Sequence, residues 1–283
     1  MSAFNIEECL NSLPDDIEDI DISCSKLTYL PDLSRFKKLR RLDCSDNKLN
    51  ILPDLPSTLL ILKCYNIQLS VLPDLPSTLT VLYCGGNQLS VLPDLPSTIK
   101  YLTCSINQLS LLPDLPNILT FLDCSCNKLK ELPDLPNTLT DVYCGINQLS
   151  VLPKLPSALN GLCCGNNQLS ILPSLPNSLM FLECEHNRLN VLPDLPSHLG
   201  IIYYHTPIYD MLKTNDTNII RQNVCILNKF RRLYYSLKFK RQFHDWLWER
   251  VRRPKIEMQY HPDNLAKQLV DEDTDLDIVL DKW

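Results

Sequence analysis

Residues 59–64 read Leu59-Leu60-Ile61-Leu62-Lys63-Cys64, and residues 79–84 read Leu79-Thr80-Val81-Leu82-Tyr83-Cys84. The frame recurs every 20 residues, with cysteine at Cys44, Cys64, Cys84, Cys104, Cys124, Cys144, Cys164 and Cys184. The unit is LxxLxCxxNxLxxLPxLPxx, and its paired prolines run from Pro53 and Pro56 to Pro193 and Pro196. Self-similarity at so short a period is the signature of a solenoid, in which each turn buries its apolar side against its neighbours.

Outward from this run the frame degenerates but remains traceable. Before it, Leu13-Pro14 is followed by Ile17, Ile20 and Ile22, with Ile22 in the ladder position and a 22-residue step to Cys44. After it, Leu199, Ile202 and Tyr204 are expected to keep the frame for one more strand. Ten strands are thus expected, centred near residues 20, 42, 62, 82, 102, 122, 142, 162, 182 and 202. The period-two alternation of a strand sends Leu62 and Cys64 inward and Lys63 outward. The Leu72-Pro73-Asp74-Leu75-Pro76 segment repeats every three residues, the period of polyproline II, with both leucines expected to face the core. Twenty residues leave no room for a crossover helix. Asparagine at 47, 87, 107, 127, 147, 167 and 187 is expected to turn inward and bond backbone groups at the bend. Ile67 breaks that series.

The unit resembles the shortest class of leucine-rich repeat, known from secreted effectors of bacterial pathogens, with cysteine replacing the usual aliphatic residue. The resemblance runs from Leu13 to Tyr204 and implies an α/β repeat solenoid with a parallel sheet on its concave face and an extended convex side. It also implies a scaffold whose concave face recognises another protein. Some effectors of this class append a ubiquitin-ligase domain of several hundred residues. Only about 80 residues follow the repeats here, and Cys225 lies in a basic segment without an acidic neighbour, so that activity is not carried over.

Composition agrees with a scaffold. Six glycines stand beside 21 prolines, whereas phosphate-binding and catalytic loops draw on glycine. No paired carboxylates, nucleophile–base arrangement or glycine-rich loop interrupts the repeats, so neither catalysis nor a cofactor nor a small-molecule substrate is expected. Zinc needs four converging ligands, but a strand ladder spaces thiols about 4.8 Å apart along a line. Metal or redox use of the ladder is therefore the weaker reading, and buried cysteine acting as a small apolar residue is the stronger. Cys163 and Cys126 lie outside the ladder, and neither His186 nor His198 is placed to activate Cys163.

The expected outward rows vary from turn to turn where leucine, cysteine and proline do not. Aromatic residues gather in them at Tyr83, Tyr101, Phe121 and Tyr143, with Phe181 further on. Such groups dominate interface hot spots, which makes these five the expected contact residues for a partner protein.

The net charge of -6 argues against nucleic acid as the main partner. Its distribution is uneven: 14 basic and 23 acidic residues in 1–220, 11 and 2 in 221–255, and 2 and 8 in 256–283. The basic stretch reads as helix over Asn223–Val251, with Leu227, Phe230, Tyr234 and Leu237 as an apolar stripe. A bend is expected near Lys238–Lys240, and an end at Pro254. Arg231, Arg232, Lys240 and Arg241 are expected on the opposite side, as a possible contact for nucleic acid, an anionic membrane or an acidic helix. Capping of the last repeat is the structural alternative. A second short helix is expected from Tyr260-His261-Pro262, followed by an acidic tail over Asp271–Trp283 that could fold back on the basic helix. This tail, with the LPDLPSTL-type repeats, resembles segments carried by proteins of giant DNA viruses.

The expected domains are an N-terminal cap over 1–12, the solenoid over 13–210 and a helical module over 211–283. Met1–Leu10 has no signal-peptide pattern, and no stretch approaches the roughly 20 apolar residues of a membrane span. An intracellular setting with reduced cysteines is expected, the host cytoplasm if the viral resemblance holds.

Overall fold

The computed structural model describes residues 5–259 of the 283. Two compact units make up the chain, Met1–Cys225 and Ile226–Trp283. The first is the solenoid. Its ten strands form one parallel sheet in chain order: β1 Asp19–Asp21, β2 Arg41–Asp43, β3 Ile61–Lys63, β4 Val81–Tyr83, β5 Tyr101–Thr103, β6 Phe121–Asp123, β7 Asp141–Tyr143, β8 Gly161–Cys163, β9 Phe181–Glu183 and β10 Gly200–Ile202. Each strand is three residues long, because a 20-residue coil must turn twice more before it returns. The middle residue of β2 through β9, Leu42 to Leu182, is buried, and so is each ladder cysteine.

The return path carries no helix. Pro56 starts a tight turn closed by the Leu59 N–H donating to the Pro56 carbonyl at 3.1 Å, and the same bond recurs in each later turn. Both leucines of the LPxLP segment were expected in the core. The first is buried in every turn, as at Leu72, 5% exposed, whereas the second is buried at Leu33, Leu155 and Leu195 and half-buried in the other turns, as at Leu75. Where it is half-buried, the second leucine sits on the rim of the core.

Two polar ladders hold the turns together. The Asn107 amide donates to the carbonyls of Cys84, Cys104 and Ser105 and accepts from the Leu89 N–H, joining two turns inside the core. Asn47, Asn87, Asn127, Asn147, Asn167 and Asn187 bond in the same way. The second ladder is of hydroxyls: Thr78, Thr98, Thr138 and Ser178 each donate to two carbonyls of the preceding turn.

The exception at Ile67 has a physical account. Its side chain is fully buried, and Gln68 beside it takes φ 73. The flip aims two N–H groups, those of Ile67 and Leu69, at the Asn87 side-chain oxygen of the next turn. Ser25 occupies the same position in the first turn, with Lys26 at φ 59 and the N–H groups of Ser25 and Leu27 on Asn47. A turn without its own asparagine thus rotates one peptide and uses its neighbour's.

The ends are closed differently. Helix α1, Ile6–Ser12, is capped by Asn5 and buries Ile6 and Leu10. The Arg35 guanidinium donates to the carbonyls of Leu10 and Leu13 at its C-terminal end. At the far end the expected frame is wrong by one residue. β10 pairs Ile201 with Leu182, so Tyr203, not Tyr204, takes the ladder position and is 1% exposed. The turn is one residue short, and the larger ring fills the last layer, with its hydroxyl donating to the Thr214 carbonyl at 2.7 Å. Thr206 stands in the asparagine position, donating to the Tyr203 carbonyl and capping α2, Pro207–Leu212. Ile208 of α2 and Ile220 and Val224 of α3, Thr217–Leu247, complete the buried layer.

From Ile226 the helix belongs to the second unit. It runs unbroken through Lys238–Lys240, where a bend was expected, and changes only at a π turn over Trp248–Arg252. Pro254 does not end it. It is the second residue of α4, Arg253–Gln259, directly after the π turn. Continuous at 100° per residue, the helix is apolar on two sides: Phe230, Leu233 and Leu237 on one, Tyr235, Phe239 and Trp246 on the other, all exposed. Arg232 lies beside the second set, so the expected purely basic back is absent. The expected second helix from Tyr260 and the acidic tail lie outside the described residues.

Candidate protein-binding face

The outward positions of the strands form one open face. Tyr101 on β5, Phe121 on β6 and Tyr143 on β7 make a continuous aromatic run across it. The Tyr101 and Phe121 rings stack with centroids 6.1 Å apart, and Phe121 and Tyr143 meet at 5.4 Å with the planes tilted by 38°. The parallel register places Tyr101 beside Phe121 and Asp123 beside Tyr143. Tyr101 and Tyr143 are 45% and 37% exposed, so ring area is left for a partner. Tyr83 lies half-buried on β4, in register with Thr103. Phe181, 40% exposed, stands two strands beyond the run, past Gly161. Of the five expected contact residues, the structure brings three together and leaves two at the flanks. Tyr203, which would point outward if Ile202 and Tyr204 kept the expected frame, is buried in the core.

The face is acidic around Tyr143. Burial raises its hydroxyl pKa, and the neighbouring Cys163, Asp141, Asp123 and Glu183 raise it further. Cys163 itself is half-buried and pushed up to about 12, first by burial and then by the Glu183 carboxylate against it. It is a protonated thiol at neutral pH, a poor nucleophile. The ladder thiols are held still more firmly: burial lifts Cys44, Cys84 and Cys144 to about 12, and raises the other five as well. Among the described residues no three His, Cys, Asp or Glu side chains converge to hold a metal ion, and no helix is long and apolar enough to cross a membrane.

Arg231, Arg232, Lys240 and Arg241 are all exposed on α3, in the second unit. They do not form one patch, since helical geometry distributes them around the axis. Sequence reasoning missed two features here. One is the His186–His205 stack at 4.2 Å, whose only sequence signal is that histidine occupies the same turn position twice. The other is an exposed aliphatic row, Ile51, Val71, Val91, Leu111, Val151 and Ile171, one residue before each LPxLP segment. Its signal was periodic and legible, but it lies outside the strand.

No family model matches the chain, and no curated protein matches it. Solved structures do. YopM from Yersinia enterocolitica shares 35% identity with a TM-score of 0.64, over 69% of this chain and 48% of that one. YopM from Yersinia pestis, a leucine-rich effector protein, shares 37% with a TM-score of 0.66, over 69% and 56%. The chain thus spans about half the length of the two YopM structures. InlJ from Listeria monocytogenes, whose functional domain includes a cysteine ladder, matches at 24% identity and a TM-score of 0.54, which speaks for the fold alone. These proteins are bacterial, and the tail on which much of the viral resemblance rests lies outside the described residues. By period, register and structural likeness, the chain is a leucine-rich-repeat solenoid with 20-residue turns, similar to the YopM effectors.

Proposed function

We propose that this chain is a non-catalytic scaffold that binds a partner protein on the concave face of its strands, inside a cell. The aromatic run Tyr101–Phe121–Tyr143 carries the reading. The Phe121 ring, half-buried, meets the exposed rings of Tyr101 and Tyr143 on either side, and all three sit on a rigid sheet where ordering them on binding costs little. Tyr83 and Phe181 extend the contact on either side. Affinity capture with wild type and with Tyr83, Tyr101, Phe121 and Tyr143 together changed to Ser tests it. The partner is expected to be lost with the variant, and recovery of the same proteins with both would remove the face from consideration.

A second reading is favoured by the two-sided apolar helix. Exposed large apolar groups on a soluble protein mark interaction sites, and this helix would then recruit a second factor, making the chain an adaptor for a ubiquitin or signalling complex. Removal of residues 226–283 leaves Ile220 and Val224 to close the solenoid. Partner capture survives this truncation under the first reading, and a co-captured complex disappears only under the second.

A further inference from the structure

The open face changes character along its length. Over β1 to β3 acids and bases pair: Arg41 lies 3.4 Å from Asp19, and Lys63 lies 3.2 Å from Asp43. Over β6 to β9 the strands carry Asp123, Asp141 and Glu183 and neither lysine nor arginine. Among the described residues none of these three makes an ion pair. Asp123 accepts from the Ser125 N–H and hydroxyl, Asp141 from the Thr140 hydroxyl, and Glu183 lies against the Cys163 thiol.

The same strands hold the aromatic run, and the three carboxylates are those that bear on the Tyr143 hydroxyl. Ring faces carry negative quadrupole density, which attracts cations within about 6 Å of the centroid. A guanidinium suits such a surface: it is planar, weakly hydrated, stacks on rings and forks onto carboxylates. Nucleic acid, a polyanion, would be repelled by the same face. Salt-bridged β1 to β3 offer no such excess.

We infer that the β5 to β9 part of the face takes an arginine-rich segment of the partner protein. This rests on the reading of the face as a binding surface, and it adds the chemistry of what is bound.

The test uses the full chain and fluorescein-labelled octa-arginine and octa-glutamate, read by anisotropy. Wild type is expected to bind octa-arginine and not octa-glutamate. Asp123→Asn, Asp141→Asn and Glu183→Gln together are expected to weaken octa-arginine about ten-fold or more, as loss of interfacial charge complementarity does. Asp74→Asn, Asp94→Asn and Asp134→Asn change the net charge equally on the return side, and are expected to leave binding within about two-fold of wild type. Phe121→Ala with Tyr143→Ala should weaken it with the carboxylates intact. Equal weakening by both charge triples would mean diffuse attraction and overturn the inference. Self-association abolished by the face triple would seat a second copy's basic helix there, and overturn the assignment to a separate partner. If the face triple binds octa-arginine like wild type while the aromatic-to-serine variant still loses its cellular partner, the cationic assignment falls and the binding face stands.

Discussion

One residue in each turn sits in the left-handed region, from Cys24 through Asp46, Asn66, Gly86, Ile106, Cys126, Ile146 and Asn166 to His186 and His205, with φ between 51 and 65. Asparagine and glycine accept this conformation, and a β-branched side chain does not. Ile106 and Ile146 hold it because their N–H groups donate to Ser125 and Gly165 of the next turn. Both are 56–61% exposed, so their side chains return little by packing. Ile106→Asn and Ile146→Asn should each raise stability by about 1 kcal/mol, read as a higher urea midpoint, and a lowered midpoint would contradict the strain. The buried thiols make the second prediction at this scale. Burial raises their pKa values in the folded chain, to about 12 for Cys44, Cys84 and Cys144, against about 9 unfolded. Their stability contribution is therefore complete below pH 9 and lost as pH rises toward 12. Between these limits each such thiol costs about 1.4 kcal/mol per pH unit. Denaturation under reducing conditions should show stability falling steeply from pH 9 to pH 10.5. The fall should be shallower for a Cys104→Val, Cys124→Val variant, and equal slopes would contradict the burial.

At the scale of the element, three-residue strands have little pairing of their own, and the polar ladders do much of the work of joining turns. A buried asparagine making four bonds is costly to lose, since it strands several backbone groups. Asn107→Ile should imitate the natural exception at Ile67: stability falls by about 2 kcal/mol, Gln108 flips to positive φ, and the coil persists. Urea denaturation with a structure of the variant checks both, and an unchanged midpoint would contradict the ladder's role. Much of this was legible beforehand. Leucine, cysteine and asparagine recur with a period that leaves one register, and strands follow from the alternation at Leu62 and Cys64. The flip beside Ile67 was not legible, because a side chain's absence shows no sign of where its backbone will turn. The one-residue slip at Tyr203 was hidden for a related reason. Ile201, Ile202, Tyr203 and Tyr204 are all apolar or aromatic, so period two had no polar residue to choose by. The unbroken α3 was missed because Lys238 and Lys240 are good helix formers, which stop nothing.

At the scale of the whole molecule, a repeating interior leaves sequence freedom only where turns face solvent, and the candidate face lies there. The five aromatic positions could be assigned to one side of the sheet from alternation alone. Which of them touch could not, because Tyr101 and Tyr143 belong to different rows, and their link through Phe121 depends on ring placement. All of it depends on a coil that closes once per 20 residues with its cysteines inside. Mass-resolved alkylation of the native, reduced protein with a bulky maleimide near neutral pH tests that directly. Exposed Cys24 and Cys225 should react within minutes, and the eight ladder cysteines only after denaturant is added. Reaction of Cys84, Cys104 or Cys124 in the folded protein at the rate of Cys24 would contradict the coil.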